Sequence, residues 1–202
     1  FNGIPDTVTP TGRYQGSVMK PFIALTGSVL EDPSSITDTR KDNLTIAICP
    51  APLSKGHPYE AAANMAVLFA RITQDTPHLD VQNKSYPDMP TPSLIGYMDV
   101  YNNRDAAVKK GCSTVELLNG KYNVKDFVTT YHPVGETPAQ FRYCRNLMLD
   151  FNVRFAYYIL EQTNVLNHAI AGDFDTVSAS NVIKPKQWKA ILMSFATELG
   201  LR

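Results

Sequence analysis

LTIAIC at residues 44–49, and PYEAAANMAVLFARIT at residues 58–73, joined by PAPLSKGH, decide the fold class. The first stretch is β-branched and almost continuously apolar, and Pro50 and Pro52 stop it. Continuous apolarity, in place of alternation, predicts a strand covered on both faces, as in an α/β sheet. In the second stretch Pro58 at the first helical position and Glu60 in the first turn predict a helix start, and the pattern carries the helix over residues 59–73. Its apolar residues run nearly all the way round. Ala62, Ala63, Ala66 and Ala70 form a small-residue face suited to close backbone approach, and Met65, Leu68, Phe69 and Ile72 cover the remainder. Such a helix is expected to be buried against a sheet. A strand followed by a buried helix is half of a βαβ unit.

Working outward, residues 1–43 are rich in Thr, Ser, Pro, Gly and Asp, and residues 19–25, with Val29 and Leu30, offer the one short strand there. Residues 75–93 carry prolines at 77, 87, 90 and 92. They predict a long extended connection and a candidate boundary, because structureless links of this length usually have a role or join domains. A short helix is expected over residues 103–110, ended by Gly111 just past its last turn. Residues 113–118 form a strand, Asn119-Gly120 tolerate the positive φ of a type I′ turn, and residues 121–131 return. Thr137-Pro138-Ala139-Gln140 is a capping box with proline at the first helical position. The helix it opens is expected to reach Gln162, about 25 residues or roughly 37 Å. Phe141, Cys144, Met148, Phe151, Phe155, Tyr158 and Ile159 form its apolar stripe. Residues 163–183 are polar and loop-like. A last helix over residues 185–199 places Trp188, Ile191, Leu192, Phe195 and Leu199 on one face. Lys184, Lys186 and Lys189 gather at its start, where the helix dipole prefers anions. They point to an acidic partner surface or to a solvated face.

Composition limits the function classes. With 44% hydrophobic and 19% charged residues in 202, the chain can build a core. Lys plus Arg and Asp plus Glu number 19 each, so broad electrostatic capture of nucleic acid or an anionic membrane is not expected. Cys49, Cys112 and Cys144 show no CxxC or Cys/His spacing, and are expected to be buried thiols in a reducing cytoplasm. No apolar run approaches the roughly 18 residues of a membrane span, and no signal peptide is visible. The sequence opens at Phe1 without methionine and ends at Arg202 after a helix, which reads as a fragment with a tryptic end.

No catalytic residue, metal site or cofactor is expected. His57, His78, His132 and His168 are scattered and show no HxxxH or HExxH spacing, and GxSxG, P-loop and GxGxxG motifs are missing. Asp173-Phe174-Asp175 is a possible carboxylate pair, but adjacent loop carboxylates are usually solvated. The ten tyrosines are not interleaved with a basic patch, so a stacking platform for nucleic acid is not indicated. Tyr143, Tyr157 and Tyr158 are read as packing or interface residues.

Taken in order, PYEAAANMAVLFARI, the proline-rich crossing, NNRDAAVKKGCSTVELLNG, VTTYHP, PAQFRYCRNLMLDFNVRFAYYIL and KQWKAILMSFATELGLR resemble the tail sheath proteins of contractile-tailed phages, with sheaths of giant phages similar to phiKZ as a home. The resemblance covers residues 44–202, and it is the order of the motifs that carries it; residues 1–43 match loosely. It implies an α/β (α+β) fold: the end of a subtilisin-like α/β domain without its catalysis in residues 1–98, and a smaller α+β domain with a β-hairpin and a long helix in residues 99–202, cut before its terminal strands. It implies further a structural subunit of the virion tail, made in the host cytoplasm, whose partners are other sheath subunits by strand exchange, the inner tail tube protein and the baseplate, with no nucleic acid, membrane or cofactor. A fragment without the terminal strands is expected to keep an unfilled sheet edge and not to polymerise. Lys184, Lys186 and Lys189 are the candidate tube contact. Two other readings stand beside this one: a fragment of a soluble α/β hydrolase-like enzyme, suggested by the strand–helix pair, and the sheath of a secretion system or bacteriocin particle.

Overall fold

Alternation along the 46–50 strand explains how it accommodates a proline. In the computed structural model, which describes residues 22–41, 43–133 and 142–200, β1 (Ala24–Ser28) and β2 (Ile46–Pro50) pair in parallel, from Ala24 opposite Ile46 to Ser28 opposite Pro50. The Ala24 N–H donates to the Thr45 carbonyl, and the Ala51 N–H to that of Ser28. Odd-numbered residues of β2 therefore face β1, and Pro50, which has no N–H to donate, faces away. All five residues of β2 are buried, as the continuous apolar run predicts. The first strand lies three to five residues later than expected, and residues 19–21 fall outside the described residues. A short helix, α1 (Ser34–Asp38), lies on the link between the two strands.

The second helix, α2 (Pro58–Asp75), starts where proline and Glu60 place it. The Glu60 carboxylate accepts the His57 N–H at 3.1 Å. Its burial differs from the expectation. Ala61, Met65, Phe69 and Thr73, spaced by four, are buried, whereas Ala63, Ala66 and Ala70 are exposed and Val67 is 62% exposed. The small-residue face is thus largely exposed, with Ala62 half-buried at its edge. The sheet beneath is two strands wide and covers one stripe of the helix. Gly27 sets how closely they meet, since a Cβ there would overlap the Pro58 carbonyl. Replacing Gly27 by alanine is expected to cost about 1–3 kcal/mol by overpacking, read as a lowered thermal midpoint.

Residues 76–95 form the extended connection, and it is stitched down. The Asn83 N–H donates to the Val124 carbonyl, Tyr86 to Tyr122, and Val124 back to Lys84, all at 2.8–2.9 Å. Val81, Tyr86 and Met89 are buried along it. After a 3-10 turn (Gly96–Asp99) comes α3 (Tyr101–Lys109), and Gly111 takes φ 70° just beyond it. The hairpin pairs β3 (Thr114–Leu118) with β4 (Lys121–Asp126) through Asn119 at φ 51° and Gly120 at φ 70°. The return strand ends earlier than residue 131 because the chain changes partner. Val128 bridges to Tyr143, Thr129 donates to the Arg142 carbonyl, and Thr130 donates to Ile46 on β2.

That change of partner also moves a helix start. Arg142 and Tyr143 are bonded to residues 128–129, so α4 (Cys144–Asn164) begins at Cys144. Its 21 residues span about 32 Å. The capping box at Thr137–Gln140 lies outside the described residues. Residues on both sides of position 98 build one core, in which Phe69 meets Phe127 edge-on at 5.0 Å between ring centres. Tyr122, fully buried, donates its hydroxyl to the Pro52 carbonyl at 2.8 Å.

The fold is α+β, as expected. One compact unit takes in the described residues up to Asn152, and a second those from Val153. In the second unit, residues 163–183 are not all loop: β5 (Ala169–Ile170) and β6 (Val182–Ile183) pair in parallel. Two residues per strand carry no readable periodicity, which is why the sequence shows none. The last helix, α5 (Pro185–Gly200), buries none of its residues fully. Trp188 is half-buried and meets Tyr157 at 6.2 Å.

Candidate functional site

Cys49, Cys112 and Cys144 are fully buried in the first unit's core. Burial pushes all three thiols well above the ordinary range, with Cys112 beside Cys49 and Asp32 near Cys112 adding to it. Such thiols are poor nucleophiles. Iodoacetamide at about pH 8 is expected to leave them unlabelled in the folded chain and to label all three in urea, at rates that follow opening of the core. Labelling of the native chain within minutes, followed by mass spectrometry, is the contrary result.

The histidines do not converge. His57 stacks on Tyr59 at the start of α2, with 5.1 Å between rings. His132 lies between the Thr130 carbonyl and the Asp38 carboxylate, at 2.7 and 3.3 Å. His168 faces the Leu166 carbonyl, and His78 is exposed. Among the described residues no group of three His, Cys, Asp or Glu side chains is placed to hold a metal ion, and no described helix is long and apolar enough to cross a membrane.

Asp173 and Asp175 are not a paired catalytic site. The Asp173 carboxylate accepts the Lys186 N–H at 2.8 Å, capping α5 from outside the helix. The Asp175 carboxylate accepts the Gly172 N–H at 2.6 Å, closing a tight loop. Lys184 Nζ donates to the Asp175 carbonyl at 2.6 Å and the Asp173 carbonyl at 3.5 Å, and its N–H donates to the Gln187 side chain. The lysine cluster therefore divides. Lys184 stitches the loop to the helix, while Lys186 and Lys189 are exposed. The Asp173 carboxylate at the first turn offsets the unfavourable placement of cations around the helix start.

The second unit is rich in exposed apolar side chains. Phe155 is 56% exposed, Ile170 76%, Met193 62% and Phe174 wholly so. Ile183 is the one residue buried among the described residues of this unit. Among its described residues the unit has helices, a strand pair, a divided cation cluster and uncovered apolar area. Sequence reasoning located the lysines but gave Phe174 no role, because exposure of a loop aromatic leaves no signal in composition or spacing.

No family model and no curated protein matches the chain. Among solved structures it is similar to a chain in the cryo-EM structure of the anti-feeding prophage (AFP) baseplate, 6-fold symmetrised, with a TM-score of 0.57 at 16% identity. The match covers 90% of this chain and 45% of that one, so this chain spans less than half its length. At that identity the likeness is one of fold.

Proposed function

We propose that the chain is a structural component of a phage-tail-like contractile particle, and within that class the inner part of a tail sheath subunit. The observation that carries it is the fold, shared over 90% of the chain with a chain from the anti-feeding prophage baseplate. Uncovered apolar area on the second unit supports a role carried by surfaces. In this reading residues 1–98 hold the end of a subtilisin-like domain and residues 99–202 most of the sheath's smaller domain. Subunits are linked by strand addition, in which main-chain hydrogen bonds supply the connection. Contraction is a rigid-body change between two packings, with tube contacts released and burial between subunits increased. The particle is the site of action, and partners are other sheath subunits, the inner tube and the baseplate.

A second reading, a baseplate component, is favoured by the particular particle region in which the similar chain was solved. Negative-stain electron microscopy of the intact gene product separates them. Helical tubes are expected of a sheath subunit, and closed plates or rings of a baseplate component. Soluble monomers that hydrolyse a small substrate would overturn both.

A further inference from the structure

Asp80 sits on the extended connection that follows α2, and its side chain is only 14% exposed. Three elements meet at its carboxylate. On its own segment the Val81 N–H donates to Oδ1 at 2.7 Å. From α4 the Arg145 guanidinium, 41% exposed, donates to Oδ2 at 3.4 Å. At the end of β4 Asp126 brings a second negative charge, and the Thr114 hydroxyl holds that carboxylate at 2.6 Å. Lys125, next to Asp126, is engaged elsewhere, by Glu116 at 2.8 Å and Asn83 at 3.2 Å. Burial holds the Asp80 carboxyl above its ordinary value, and the charge of Asp126 adds to it. The Arg145 guanidinium and the Val81 and Gln82 N–H groups pull the other way. Arg145 also has a second place to rest. Its guanidinium lies over the Tyr143 ring, 5.1 Å from the centroid, an attraction that does not need the carboxylate.

We infer that Asp80 and Arg145 form an acid-released clasp between the extended connection and the first turn of α4. One proton taken from solvent turns the Asp80 carboxylate into a neutral carboxyl, and the unpaired guanidinium is left to the Tyr143 ring. No covalent bond other than that O–H forms or breaks. The two residues stand 65 positions apart, so spacing in the sequence gives no signal of the pair. The clasp opens while the fold strengthens. The native carboxyl keeps its proton to a higher pH than the unfolded one, so the folded state binds more protons across that window. This group's contribution to stability is therefore present at about pH 4 and is lost as pH rises through the native transition. An ion pair that simply supported the fold would depress the carboxyl and give the reverse.

The test follows the intact protein by NMR from about pH 8 to about pH 4, across the carboxylate range. Isotope labels on aspartate carboxyls and arginine guanidinium groups report the pair, and thermal midpoints are taken for wild type, Asp80→Asn and Arg145→Gln. Asp80 is expected to titrate above the usual carboxylate range, with the Arg145 signal moving at the same pH. In Arg145→Gln the Asp80 transition should climb further, because the guanidinium that holds it down is gone. In Asp80→Asn the Arg145 signal should stay flat. The wild-type thermal midpoint should gain on that of Asp80→Asn as pH falls through the transition. An Arg145 signal that ignores the Asp80 transition overturns the inference, and so does an Asp80 transition that Arg145→Gln leaves in place. A wild-type midpoint that loses ground to Asp80→Asn on acidification also overturns it, by marking an ordinary stabilising ion pair. Arg145→Gln decides by itself where Asp80→Asn does not fold, and every outcome leaves the proposed function standing.

Discussion

Replacing Phe127 by alanine should lower the stability of the first unit by about 3–5 kcal/mol, a large share of the roughly 5–15 kcal/mol that holds a domain together. Phe127 is fully buried and packs edge-on against Phe69 of α2, 5.0 Å away. Its carbonyl also accepts the N–H of Cys144, the first residue of α4. Removing the ring leaves a cavity where α2, the hairpin and the start of α4 meet, and fixed backbone bonds on every side limit collapse. Urea unfolding should show a lower midpoint with an unchanged slope. Val67→Ala on the outer face of α2 is the matched control. Val67 is 62% exposed, so its loss should stay within about 0.5 kcal/mol. Equal losses from the two substitutions would mean that α2 is covered on both faces, against the one-sided packing described above.

What the sequence made legible follows the range of the interaction. Asn119-Gly120 fixed the hairpin because the positive φ of both residues is a local property. Pro58 and Glu60 placed the start of α2, and Gly111 the end of α3, for the same reason. The exposed face of α2 was not legible. Alanine at 63, 66 and 70 is compatible with close packing or with water, and the width of the sheet beneath decides between them. The early end of β4 and the late start of α4 both come from residues 128–130 leaving one partner for two others, a long-range choice without local signature. At the surface, the three lysines were visible, but their division was not. It depends on Asp173 reaching a helix start thirteen residues further along.

That division sharpens the test of the lysines as a tube contact. Reversing all three at once confounds two roles, because Lys184 Nζ holds the carbonyls of Asp173 and Asp175. Lys186→Glu with Lys189→Glu changes only exposed positions. Position 186 lies in the first turn of α5, where a carboxylate complements the helix dipole but stands beside Asp173. Position 189 lies one turn on. The isolated protein should therefore stay within about 1 kcal/mol of wild type. Tube-dependent assembly of the intact gene product should fall. Two reversed charges facing an acidic surface replace attraction with repulsion, and a loss of at least about tenfold is expected. The wild-type contact should itself weaken with rising salt, since exposed charges are screened within about 10 Å at 0.1 M. The decisive comparison is between the two effects. A thermal midpoint that holds or rises while tubes disappear assigns Lys186 and Lys189 to the interface. Undiminished assembly at the same midpoint would remove both from it and leave the cluster as a solvated helix start.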